Sequence, residues 1–174
     1  LKPNPLFEKG DIAYLKPHYY GGVRKYQWVA RELALHGDIY KKDGSVVHVN
    51  IGEDENDPVF GITDLLIHLA GKQMQKTAAT VIEGEDLNLT IGSIPLEGAE
   101  KEAAKANVKK MLEEKYGIEE DDFMSAEIEI VPAGKARDLG LDRSLVIGYG
   151  HDDRVCAYTS LAALLDSEAP TKTS

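Results

Sequence analysis

Apolar positions along the chain alternate with polar ones in some stretches and recur at helical spacing in others, and the changes of rhythm predict its elements. Leu33, Leu35 and Ile39, then Asp43-Gly44, then Val46, Val47, Val49 and Ile51, read as a β-hairpin, because Asp-Gly accepts the positive φ of a tight hairpin turn. The stretch Ile-Ala-Tyr-Leu-Lys-Pro opening at Ile12 suits a short strand, and Tyr19-Tyr20-Gly21-Gly22 marks a turn after it. Residues 86–94 and 126–131 alternate and predict two further strands. Ile62, Leu65, Leu66 and Leu69 fall at helical spacing and predict a short amphipathic helix. A longer helix is expected from about Gly98 to Tyr116, rich in Ala, Lys and Glu, with Val108, Met111 and Leu112 on its apolar side and Gly117 ending it.

The pattern changes character near Gly134. Leu145-Val146-Ile147 is short, apolar and unalternating, the mark of a buried strand, and it runs through Gly148-Tyr149-Gly150 into a helix starting near Asp152. We therefore expect a mixed fold (α+β / α/β): a β-rich domain with short helices over residues 1–133, and an α/β-type strand-turn-helix over 134–174.

Composition removes several functions. Thirty acidic residues against 20 basic give a formal charge of −10, the wrong sign for a phosphate backbone or an anionic membrane. No apolar run approaches the roughly 20 residues that a spanning helix needs. The lone Cys156 cannot form an internal disulfide, so a reducing, cytoplasmic setting is the expectation. The opening at Leu1 and the polar close at Ser174 suggest a segment cut from a longer chain.

Local chemistry singles out few residues. Asp152 follows the glycines at the end of an apolar strand, where ligands gather in open α/β sheets. As a helix N-cap it needs no metal to explain it, and residue chemistry alone favours that cap. His68 stands four residues after Asp64, so an i, i+4 pair on a helix is the plain reading. Asp54-Glu55-Asn56-Asp57 lacks the glycine and distal glutamate of a calcium loop, and Gly134-Lys135 lacks the upstream glycine of a phosphate loop.

Read as strings, the stretches LKPNPLFEKGDIAYLKPHYYGGVRKYQWVARELALHG, VNIGEDENDPVFGITDLLIHLA, GEDLNLTIGSIP and SAEIEIVPAGKARDLGLDRSLVIGYGHDDRVCAYTSLAALLD resemble, in order, the aspartyl aminopeptidase family of dinuclear zinc metallopeptidases, especially its aminopeptidase-I-like bacterial branch. The resemblance implies a catalytic α/β domain holding two zinc ions, with cobalt or manganese as alternatives, interrupted by a β-rich insertion through which subunits pair into dimers and then a dodecamer. It puts Asp152 at the aspartate that bridges both metals, reversing the odds on the cap. It puts His68 at the histidine that reaches across the dimer into the neighbouring active site. It gives Tyr20, Gly21, Gly22 and Trp28 a supporting role in the insertion. The remaining metal ligands and the glutamate base have no counterpart between Leu1 and Ser174.

The implied activity is removal of N-terminal residues from peptides by metal-activated water, with these 174 residues silent by themselves. Two other classes remain open: a self-association module without catalysis, and a monomeric β domain that captures peptides without cleaving them.

Overall fold

A computed structural model describes residues 1–168. The chain divides into two compact units, residues 1–134 and 135–174.

The first unit holds two three-stranded antiparallel sheets. In one, β1 (Leu6–Lys9) pairs with β2 (Ile12–Leu15), which pairs with β5 (Leu89–Gly92). In the other, β3 (Leu33–Tyr40) lies between β4 (Val46–Ile51) and β6 (Ala126–Pro132). The predicted hairpin is present: Asp43 Oδ1 accepts from Ser45 N and Oγ at 2.9 and 2.6 Å, and Gly44 takes φ 85° between β3 and β4.

Register sorts the faces of the second sheet. Leu35, Gly37 and Ile39 stand opposite Ile51, Val49 and Val47 on one side and Ile130, Ile128 and Ala126 on the other. This row faces inward. With Leu6, Ala13, Leu15 and Leu89 from the first sheet and Ala104 and Val108 from the helix, it builds a single core. The opposite face carries His36, Asp38, His48, Asn50, Glu127 and Glu129 to solvent.

Helix α1 (Ala103–Tyr116) starts later than its composition suggests, because Gly98 and Glu102 take left-handed φ of 81° and 46° and the intervening residues form turns. Glu8 Oε2 accepts from Lys105 N at 2.8 Å in the first turn, and Gly117 ends the helix in the left-handed conformation at φ 64°. Val108 is buried and Leu112 packs on the core, whereas Met111 is exposed. Of the three predicted apolar positions the helix thus turns two, Val108 and Leu112, to the core and leaves the third in solvent.

Residues 62–69 are not helical. Ile62 and Ala70 are buried and everything between them is exposed. Two turns of helix carry a nucleation cost that only packing can offset, and Leu65, Leu66, Ile67 and Leu69 find nothing to pack on, at 55–72% exposure. Asp64 Oδ1 also takes the Leu65 N–H at 2.7 Å, a local bond that competes with helix formation.

In the second unit β7 (Arg137–Leu139) pairs antiparallel with β8 (Leu145–Ile147), and α2 (His151–Asp166) follows. The strand expected at 145–147 is present but exposed rather than buried. An unalternating apolar run reads as burial on both faces, and here Leu145, Val146 and Ile147 are instead uncovered among the described residues. The turn between β7 and β8 is tied by Asp142, whose Oδ1 accepts from Ser144 N and Oγ at 3.2 and 3.0 Å, holding its carboxyl below the usual range.

Gly37 sits opposite Ile128, at φ 145°. A Cβ there would lie 2.8 Å from the Glu127 carbonyl carbon and 2.9 Å from Ile128 Cα, closer than carbon atoms approach, with backbone on the receiving side. Gly37→Ala is expected to cost at least about 2 kcal/mol, read as a lower urea midpoint at unchanged m-value; a midpoint within error of the parent would show that β6 yields freely.

Candidate functional site

His68 and Asp152 belong to different compact units. His68 rides on the exposed loop between Ile62 and Ala70, both of them core residues. Ala30 N donates to Ile62 O at 2.9 Å at one end of the loop, and Met74 N donates to Ala70 O at 2.8 Å at the other. Within it, Leu69 N reaches Leu66 O at 2.8 Å and Ala70 N reaches Ile67 O at 3.2 Å. His68 thus stands in a turn, held up by neighbours that are anchored while it is not.

The helical Asp64–His68 pair does not form. Asp64 Oδ1 instead accepts from Leu65 N and from Gln73 Nε2, at 2.7 and 2.9 Å. Other histidines of the unit are engaged: His36 Nε2 with Glu53 Oε1 at 3.0 Å, His48 Nδ1 with Asp38 Oδ1 at 2.6 Å, and His18 stacked beside Tyr19 at 6.3 Å between ring centroids. The His68 imidazole is exposed and pairs with no side chain among the described residues, which leaves both ring nitrogens available to a group from outside.

The aromatic-glycine stretch has a structural part. Gly21 turns the chain at φ 77°. Trp28 Nε1 donates to Ile130 O at 3.1 Å, tying this stretch to β6. Tyr19 lies against Gly84, where a Cβ would meet its ring at 2.9 Å, and Lys25 Nζ sits 5.2 Å from the same ring's centroid. Tyr20 is exposed.

Asp152 lies two residues after Gly150, which turns the chain at φ 88° into α2. Its own φ and ψ, −88° and 107°, are extended, and Asp153 at −119° and 19° is not helical either. Regular helix begins only at Arg154, and no side chain caps the start. The N-cap explanation of Asp152 is therefore not what the structure contains. The peptide bond between Asp152 and Asp153 is cis. Asp152 is exposed beyond the end of β8, with its oxygens unused by any hydrogen bond among the described residues.

The donor set is incomplete. Among the described residues no three His, Cys, Asp or Glu side chains converge to hold a metal ion. A zinc site takes three or four protein ligands, so Asp152 suits one position of such a set and these residues do not make the set. Nor is any helix among them long and apolar enough to cross a membrane.

Comparison with known proteins fits this arrangement to one class. Two solved aminopeptidases superpose on nearly all of the chain: an M18-family enzyme from Thermotoga maritima with TM-score 0.91 at 51% identity over 98% of the chain, and aminopeptidase I from Clostridium acetobutylicum with TM-score 0.89 at 60% identity over 99%. A probable M18 family aminopeptidase 1 of Clostridium acetobutylicum is 62% identical over 174 residues. The profile of the aminopeptidase I zinc metalloproteases matches residues 1–174. The chain belongs to that family, M18. It covers 99% of itself but only 37% of the Clostridium relative's length.

Proposed function

We propose that the protein containing this chain is a zinc-dependent aminopeptidase that removes N-terminal residues from peptides, and that residues 1–133 are the inserted domain through which its subunits pair. Residues 134–174 then belong to the catalytic domain. The observation that carries this reading is the family match from residue 1 to residue 174. The large share of the relatives' length outside this chain leaves room for the ligands that Asp152 lacks, and for elements that would cover β8 and α2.

Two zinc ions, with cobalt or manganese as substitutes, would when bound polarise the substrate carbonyl and acidify a water. Asp152 would be one of the residues that hold them; among the described residues its carboxylate makes no hydrogen bond that would compete. His68 would work in the neighbouring subunit's site. There its imidazole N–H donates to the carbonyl oxygen as negative charge develops, which stabilises the tetrahedral intermediate more than the substrate.

The loop chemistry supports the crossing. Four large apolar side chains around His68 are uncovered, and a second subunit packed there would dehydrate them while taking in the histidine. A dimer would form through that contact; the larger assembly, such as a dodecamer, is what the family resemblance implies. Association without catalysis is a property of the first unit on this reading, not a rival to it. The single exposed Cys156 suits a reducing cytoplasm.

Two variants of the full-length protein test these roles. His68→Ala is expected to lower kcat about 10²- to 10³-fold, with zinc content by elemental analysis and assembly by sedimentation unchanged. A parental rate would remove His68 from the mechanism. Asp152→Ala is expected to lose zinc together with activity; full zinc occupancy in that variant would leave Asp152 without a metal role.

A further inference from the structure

We propose that Asp64 and Gln73 form a clamp that sets the position of His68, which makes them positioning residues for the reaction above; the inference rests on the reading of His68 given there. His68 stands four residues after Asp64 and five before Gln73, close to the middle of the segment that their hydrogen bond closes (68 − 64 = 4; 73 − 68 = 5).

The segment has little else to hold it. Residues 63–69 are all exposed, so packing within the subunit does not fix them. A cleft of about 600 Å³ runs beside the base of the loop, lined by Asp64, Leu65, Gln73, Phe7, Tyr14 and Ile82. The loop is therefore undercut on that side rather than bedded on the core. The backbone bonds inside it, Leu69 to Leu66 and Ala70 to Ile67, shape the turn that bears His68, and the second joins its far end to the buried Ala70. The Asp64–Gln73 bond adds a side-chain tie from the near end, to the 3₁₀ turn Gln73–Gln75, which is attached to Ala70 through Met74 N.

The chemistry suits a clamp. One carboxylate oxygen accepts both a backbone N–H at 2.7 Å and a side-chain amide N–H at 2.9 Å. Both bonds are assisted by the full charge on the acceptor and are stronger than neutral ones. The first fixes the orientation of the Asp64 side chain, and the second then fixes where the loop closes. Neither side chain belongs to the buried core. A bond that the core does not require, closing a loop whose apolar residues face outward, is best accounted for by the side chain at its centre.

The experiment uses the full-length enzyme. Gln73→Glu keeps the size of the side chain, removes the donor and sets two carboxylates against each other. We expect kcat to fall about three- to tenfold, since an exposed bond of this kind keeps only part of the worth of a charge-assisted hydrogen bond, with KM within twofold and zinc content unchanged. Amide hydrogen exchange over residues 65–70 should speed up in parallel. Asp64→Asn combined with Gln73→Glu should restore both, since the new amide at 64 donates to the new carboxylate at 73 while its oxygen still accepts from Leu65 N. In a His68→Ala background Gln73→Glu should cost nothing further.

A parental kcat for Gln73→Glu beside a crippled His68→Ala overturns the clamp alone. An additive loss in the His68→Ala background also overturns it, by showing that Gln73 acts elsewhere. A parental rate for His68→Ala itself overturns the reading of His68 and the clamp's catalytic part with it.

Discussion

Strand β3 is the constraint on which the first unit depends. It is hydrogen-bonded along both edges, to β4 and β6, and Leu33, Ala34 and Ile39 within it are fully buried. Its first residue also exchanges two backbone bonds with Phe60, both at 2.9 Å, and three residues upstream Ala30 N reaches Ile62 O. The same strand that organises the core thus fixes the point from which the His68 loop departs. Burial of this kind is worth about 1.5–3 kcal/mol for each large side chain, and the loop inherits the rigidity of its root without contributing to it.

That division explains how an exposed histidine can be placed accurately. A side chain at a loop tip usually moves with the loop. Here both ends are pinned, by Ile62 and Ala70, and the span between them is seven residues. The loop therefore presents His68 and its apolar neighbours as a unit. The conformational entropy of a partner's approach is lower when the surface it meets is already formed.

Strands β2 to β6 and β8 were legible in the chain because their signals are local, whereas β1 and β7, the second inside a stretch that reads as a loop over 132–141, were not. Asp43-Gly44 specifies its turn whatever surrounds it, and the alternation of β3, β4 and β6 reports a sheet with one wet face. Two of the failures share a cause. Residues 62–69 and 145–147 carry apolar patterns that read as buried, and, Ile62 apart, nothing among the described residues covers them. At 62–69 the spacing matched a helix, yet without anything to cover Leu65, Leu66 and Leu69 the chain followed Asp64's local bond instead. At 145–147 the strand formed and stayed exposed. The late start of α1 has a different cause, since Glu102 at positive φ is a conformation that its side chain does not advertise. The partnership of Asp64 with Gln73 rather than His68 was likewise out of reach, because it follows from the loop's path and not from i, i+4 spacing.

The two candidate residues share a physical property that no spacing rule captures. Several charged and polar side chains of the described residues are engaged: His36, His48, Asp43, Asp57, Asp142 and Glu120 all have partners within the chain. His68 and Asp152 are exposed, sit on backbone that departs from regular structure, and are not paired with other side chains of the described residues. Any single exposed residue can be so by accident. A carboxylate beyond the end of a strand, at the extended angles that a cap residue takes but with no hydrogen bond to the helix that follows, is a less ordinary arrangement. The same holds for a histidine lifted on a pinned loop among uncovered leucines, when packing the loop down would bury about four apolar side chains at once. On the function proposed above, the partners of both residues lie outside this chain.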